Sequence, residues 1–342
     1  MKKLSRLVIV LFAVMLLFVL TGCNTPQPTK SEETESNKTK EEDSDKKEYD
    51  MPKGELTVGG AASYTGNFHA DGTAIAESFT RSGANASVIL SGGTANIIGA
   101  GDKTMFCGPT GATSLLAAYE GTDDSFPRIY DDVVAMMALD MMANYFIVPA
   151  DSNIKTISDL KGKTVVTGMI SSTSYVCLVD YLEVYGLKPE DLNIRMASMG
   201  EANDMIADKL VDAYFMNTGI PNASIMELCT SVDVKILPIE KKYLDDILAR
   251  SEAYQPCTLP AGTYKGQNED ILMSGAKTLI VVNSETPDGE VKWALESIIE
   301  NWGYITKACT WLSGLSFEDL SDSGTMPMHK AAIEFYDELL SK

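Results

Sequence analysis

Apolar residues fall along this chain in three regimes. Leu7 to Leu20 is an unbroken uncharged run behind Lys2, Lys3 and Arg6. Residues 24–50 contain no Val, Ile, Leu, Met, Phe or Trp, and 14 of the 27 are charged. From Leu56 onward, short apolar runs of strand length alternate with longer stretches of helical character.

The first run is 14 residues long. It is short of the ~20 that span a bilayer and fits the apolar part of a signal peptide. Thr21, Gly22 and Cys23 follow, so residues 1–23 read as a lipoprotein signal peptide ending in the lipobox Leu20-Thr21-Gly22-Cys23. Acyl chains on Cys23 would hold the protein at a membrane surface, each buried methylene contributing ~0.8 kcal/mol. The expected location is extracytoplasmic, on the periplasmic side or the outer face. The second regime cannot bury apolar surface, so residues 24–53 are expected to be a disordered acidic tether. As a flexible coil it would reach about 30 Å.

In the third regime the pattern predicts strands at Leu56–Val58, Ser87–Leu90, Thr104–Cys107, Tyr145–Val148, Thr164–Thr167, Asp212–Met216 and Lys277–Val282. Helices are expected at Asp71–Thr80, just after Asn96, at Ala112–Tyr119 and Ser174–Tyr185, after Pro221, and from Val282 to the end. Met136, Met137, Met141 and Met142 read as core filler in a helix. Such alternation favours an α/β fold with parallel strands covered on both faces. Four of the strands lead into loops rich in Gly, Ser, Thr and Asn that open helices. In parallel α/β sheets such loops lie at the carboxyl edge, and helix N-termini there suit carboxylates.

Charge and cysteines narrow the function classes. The whole chain carries −20; the leader contributes +3 and residues 24–50 contribute −4, leaving −19 on residues 51–342. Such a surface repels nucleic acid and anionic lipid. Beyond Cys23, the five widely spaced cysteines (107, 177, 229, 257 and 309) form no metal pattern; an oxidising compartment would allow one or two disulfides that the sequence does not pair, and buried free thiols are the preferred reading. The only histidines are His69 and His329. HExxH, GxSxG, GxGxxG and the phosphate-binding GxxxxGK[ST] are all absent. A Cys107/His69 dyad would lack an orienting third group, and His329 suits a capping or packing role. No catalytic residue, metal or cofactor is expected.

At this point the residues resemble the TAXI family of solute-binding receptors for TRAP transporters, over essentially all of residues 55–337. The pieces that carry the resemblance come in the family's order. They include Leu56-Thr57-Val58-Gly59, Gly72-Thr73-Ala74-Ile75-Ala76 and Ser91-Gly92-Gly93-Thr94-Ala95-Asn96. The long run Ala150 to Lys163, ending Asp159-Leu160-Lys161-Gly162-Lys163, matches the central signature. Val211 to Phe215, Gly219-Ile220-Pro221, Gly262-Thr263-Tyr264 and Pro327-Met328-His329 follow.

The resemblance implies a two-lobed, type II periplasmic-binding-protein-like fold with a ligand cleft between the lobes. Lobe one would be 54–150 plus 277–342 and lobe two 151–276. Such a receptor captures a small organic acid, glutamate-like or a dicarboxylate, and delivers it to TRAP permease subunits. The site expected from the loops is Ser63, Tyr64, Phe68, His69, Gly93, Thr94, Asn96, Thr110, Thr113, Ser171, Ser172, Thr173, Asn217, Gly219 and Pro221. Its carboxylate would be held by neutral donors, with Asn96 and Ser172 facing each other across the cleft. There are departures from the family pattern: Phe68-His69 stands for an aromatic pair, Gly111-Ala112-Thr113 lacks amide and acid side chains, Gly168 to Thr173 has fewer glycines, and Lys330-Ala331 replaces a Pro-Gly. The competing readings are the binding lipoprotein of an ABC importer, a lipid-anchored hydrolase, and a lipoprotein that senses or adheres without transport.

Overall fold

The computed structural model describes residues 49–61, 64, 66–169 and 172–341. The signal peptide, Cys23 and the tether up to residue 48 lie outside the described residues, as do Ser63 and Ser171.

The chain order is β1 (Glu55–Gly59), α1 (Asn67–Arg81), β2 (Asn85–Ile89), α2 (Gly93–Gly101), β3 (Gly108–Gly111), α3 (Ala112–Glu120) and β4 (Val133–Pro149). There follow β5 (Thr164–Thr167), α4 (Thr173–Val184), β6 (Asn193–Met196), α5 (Met199–Ala207), β7 (Ala213–Gly219), α6 (Ala223–Ser231), β8 (Val234–Ile236), α7 (Lys241–Leu248) and β9 (Gln255–Leu259). The chain closes with β10 (Ile271–Asn283), α8 (Asp288–Glu300), α9 (Trp302–Ala308), α10 (Phe317–Ser321) and α11 (Lys330–Leu340).

The fold is α/β, but the large sheet is mixed where an all-parallel one was expected. Its order is β3-β10-β4-β7-β5-β6, with β8 on β4 and β9 on β10. β10 runs antiparallel to β3, β4 and β9, and β4 runs antiparallel to β7 and β8. Among the described strands only β5 with β6 and β7, and the separate pair β1-β2, are parallel.

The methionine segment is a strand, correcting the helix expected from its composition. β4 is 17 residues long and almost wholly buried. Helices and loops cover both faces of the sheet, and burial on both faces removes the alternation that marks a strand. Val133, Ala135 and Phe146 face one apolar cluster; Val134, Met136 and Met137 face a second. Thr104–Phe106 is likewise a turn and no strand. Lys103, at a left-handed φ of 56°, turns the chain out of α2. Cys107 then bridges Val58, and pairing with β10 begins at Gly108. Asn217 and Gly219, expected in a helix-opening loop, end strand β7.

β4 and β10 run through the whole molecule. The first half of β4 pairs with the second half of β10, beside β3. The second half of β4 pairs with β7 and β8. The register shifts between these halves. Lys277 opposes Met141 and Leu279 opposes Ala138, so Leu139 and Asp140 together face the single residue Thr278. Such a bulge bends a strand and re-aims a side chain.

Among the described residues the five cysteines are free, and four of them are buried. Among those residues no helix is long and apolar enough to cross a membrane.

Candidate functional site

Two groups of helix N-termini meet where β4 and β10 cross between the halves. From the side of β1 and β3 come the starts of α1, α2 and α3. From the side of β5 and β7 come the starts of α4 and α6. Ser114 Oγ lies 2.6 Å from Thr173 Oγ1, and Asn222 Nδ2 donates to Asn67 Oδ1 at 3.2 Å. Both contacts join the two sides.

The first side is built on glycines where backbone must come close. A Cβ on Gly59 would stand 2.1 Å from Asn96 Oδ1, and one on Gly93 would meet Thr110 Oγ1 at 3.1 Å and the Phe68 ring at 3.3 Å. Gly93, Thr110 and Phe68 therefore converge. Thr110 is buried, and its hydroxyl has no protein partner. The Thr113 hydroxyl is also buried and unpartnered, near Gly111, Met142 and Thr173.

Asn96 takes a different role from the ligand contact expected. It is fully buried, and Nδ2 donates to the carbonyls of Gly60 at 2.9 Å and Pro109 at 2.6 Å. Oδ1 accepts from Ser91 Oγ at 2.5 Å. Every polar atom of the amide is thereby used to tie β1, α2 and β3 together. Thr94 is half-buried in the first turn of α2. Tyr64 is largely exposed, with its ring edge-on to His69 at 5.1 Å between centroids. His69 is half-buried; its Nδ1 has no partner and crowds Gly60.

On the second side Ser172 caps α4, its Oγ accepting from the Tyr175 amide. Asn217 Nδ2 donates to Asn144 Oδ1 at 2.9 Å, and Ser174 Oγ accepts from the Asn217 amide. Pro221 follows a cis peptide bond with Ile220. The turn around it is pinned from behind: Tyr145 donates to the Gly219 carbonyl at 3.3 Å, and Tyr264 Oη accepts from the Asn222 amide at 2.9 Å. Burial holds both phenols above their ordinary range.

Between the sides lies a small cavity of about 130 Å³, lined by Ala61, Gly66, Asn67, Phe68, Asp140, Met142, Thr218, Gly219 and Thr278. Of the expected residues that are described, only Phe68 and Gly219 line it. Asn67, Asp140, Met142, Thr218 and Thr278 escaped the sequence reading. Asp140 carried a signal, because it is the only charge between Asp132 and Asp151. Burial pushes its carboxyl up to about 7, with Thr278 offsetting part of the rise. Asp71 is buried beside it; burial first, and the neighbouring Asp140 second, raise its carboxyl, while Trp311 Nε1 donates to Oδ1 at 3.1 Å.

The alternative chemistry fares poorly. Cys107 is fully buried, and burial holds its thiol far above the ordinary value, which disfavours the thiolate that attack requires. His329 caps α11, Nδ1 accepting from the Ala331 amide, as expected of a structural histidine. Burial lowers its pKa. Among the described residues no group of three or more His, Cys, Asp or Glu is arranged to hold a metal ion.

The class defined by this geometry is an α/β protein with a mixed sheet and a small polar cavity beside its two longest strands, β4 and β10. The chain belongs to the NMT1-like family, whose model matches residues 60–339. Among solved structures it is similar to the periplasmic aliphatic sulphonate binding protein SsuA from Escherichia coli, at 15% identity and a TM-score of 0.46, covering 83% of this chain and 78% of that one. It is also similar to the alkanesulfonate-binding protein SsuA from Xanthomonas axonopodis pv. citri, at 15% identity and a TM-score of 0.43, covering 84% of each chain. At this distance neither relative says what the cleft holds, which is read from its own residues.

Proposed function

We propose that this protein is the solute-binding receptor of a membrane transporter, working outside the cytoplasm and tethered through lipid on Cys23. One observation carries the reading: buried polar atoms without protein partners, including Asn67 Nδ2, Thr110 Oγ1 and Thr113 Oγ1, gather beside helix N-termini from both sides of the crossing. A buried donor left unpaired costs about 1–3 kcal/mol, so a site that keeps several is built for a visiting partner. The solute is a small organic molecule bearing a carboxylate. Helix N-termini and neutral hydroxyls hold that carboxylate, each hydrogen bond to the charge contributing roughly 1.5–3 kcal/mol. Lobe one is 54–150 plus 277–342 and lobe two 151–276, with β4 and β10 as the crossings. The solute is bound and released unchanged, since neither Cys107 nor His69 has the setting of a nucleophile or base.

The transporter we propose is an ABC importer. The TRAP reading rested on the TAXI resemblance, and the family matched here is the NMT1-like one. Uptake by membrane vesicles supplied with this receptor should require ATP; uptake driven by a sodium gradient alone restores the TRAP reading. The receptor reading itself is tested by thermal shift against amino acids, hydroxy acids, keto acids and dicarboxylates, followed by mass spectrometry. The expected result is a concentration-dependent rise in Tm for a narrow subset, with the ligand recovered intact. Turnover abolished by Cys107→Ala or His69→Ala would establish an enzyme instead.

A further inference from the structure

We infer that Asp140, facing Asn67 across the small cavity, is the counter-ion for a protonated amine on the bound solute. The inference rests on the receptor reading above and narrows its ligand class. The solute becomes an amine with an acceptor oxygen close by, where a plain organic acid would have sufficed.

The placement of Asp140 is specific. It sits in the β4 bulge opposite Thr278, and its Oδ2 is buried without a hydrogen-bond partner. Oδ2 lies 2.6 Å from where a Cβ on Gly219 would stand, and Asn67 Nδ2 lies 2.5 Å from the same point. Glycine at 219 therefore leaves open the space between a carboxylate oxygen and an amide donor.

The orientation of Asn67 is fixed by its neighbours. Asn222 Oδ1 accepts from the amides of Ser224 and Ile225, so Asn222 Nδ2 must be the donor toward Asn67. Asn67 therefore turns its oxygen to Asn222 and its NH2 into the cavity. A metal ion would meet that NH2 unfavourably, because cations of this kind need oxygen ligands. A molecule with an N–H donor and an oxygen acceptor matches both walls.

Charge points the same way. Among the described residues no Lys or Arg lines the cavity, and Asp140 is its only ionisable residue. The titratable groups packed around Asp140 are Asp71 from α1, Tyr145 from β4 and Cys309 beyond α9. None of them supplies positive charge. Thr278 and the backbone offset only part of the cost of burying this carboxylate, and an incoming ammonium supplies the missing charge pair. Phe68 and Met142 wall the cavity with apolar surface, and its volume suits an amine and the carbon that bears it.

The test needs no variant at first. Amino acids are titrated calorimetrically against their 2-hydroxy and 2-keto counterparts at pH 7.5, using the full chain. The amines should bind at least tenfold tighter than the matched oxygen compounds. Asp140→Asn should abolish that preference. Should Asp140→Asn fail to fold, Gly219→Ala serves: it keeps the charge, fills the gap and should weaken the amines selectively. Affinity for the best amine should rise roughly tenfold or more from pH 5.5 to 7.5, as Asp140 ionises, and Asp140→Asn should flatten that rise. Oxygen compounds binding as tightly as amines, or a preference that survives in Asp140→Asn, would overturn the inference and leave the receptor reading standing. Failure of every compound in the panel to bind would overturn both.

Discussion

The Ser114 and Thr173 hydroxyls, 2.6 Å apart, join the first turn of α3 to the first turn of α4. This contact ties two helix starts that belong to opposite sides of the cleft, and no backbone pairing joins those helices. It therefore acts on closure more than on folding. Ser114→Ala should leave Tm nearly unchanged. Removing one neutral hydrogen bond worth about 0.5–1.5 kcal/mol should weaken ligand binding by roughly two- to tenfold. Calorimetry measures the affinity, and small-angle scattering with and without ligand measures the closure. Equal affinity in the variant would show that the two hydroxyls do not latch the lobes.

Asn96 should behave in the opposite way. Its amide is consumed by Ser91, Gly60 and Pro109. Asn96→Ala strands the Pro109 carbonyl at about 1–3 kcal/mol and leaves the Gly60 carbonyl to the longer bonds from the Gly92 amide and Ser91 Oγ, so Tm should fall by a few degrees. Ligand affinity measured well below the new Tm should change little. A stable variant that no longer binds would return Asn96 to the ligand shell.

The buried acids set a pH dependence of stability whose sign is opposite to that of a salt-bridged carboxylate. Burial raises Asp140 to about 7, and Asp71 is raised as well. In the unfolded chain both ionise near 4. Between pH 4 and 7 the folded state therefore binds more protons than the unfolded one, and stability falls as pH rises through that window. Asp140→Asn should remove part of the slope and be most stabilising above pH 7. Chemical denaturation of both proteins at pH 4.5, 6 and 8 checks this. A slope of the same size in the variant would assign the effect elsewhere.

The thiols should be slow to react. Burial pushes Cys177 and Cys257 up to about 12, and holds Cys107 and Cys309 higher still. Of the five, Cys257 alone is only half-buried. Alkylation of the native protein at pH 8, mapped by peptide mass spectrometry, should therefore mark Cys257 first. Early labelling of Cys107 would reopen the nucleophile reading.

Much of this fold was legible in the sequence where one face of an element meets water. β1, α1 and α4 fall within a few residues of their expected bounds, because polar and apolar positions separate there and Gly or Ser marks the turns. β4 was not legible as a strand, since burial on both faces erases the period that distinguishes strand from helix. Within the site, Gly93, Thr110 and Phe68 came together because a loop composition locates a helix start. Asn67, Asn222 and Asp140 did not emerge, because each acquires its role only when segments 73 to 155 residues apart are brought together. The lone acid in a long uncharged run was the one signal that local reading could have used.

Because β4 pairs with β10 along one edge and with β7 and β8 along the other, the parts of the chain on either side of it are not interchangeable. Cutting the chain near Asp140 would leave β10 and β7 each beside a frayed edge. Ligand range in this family should therefore diversify by substitutions at loop tips and at the bulge. Exchanging segments between relatives at a breakpoint inside Val133–Pro149 would sever the shared strand, so such recombinants should fail to fold unless both parents carry the same bulge.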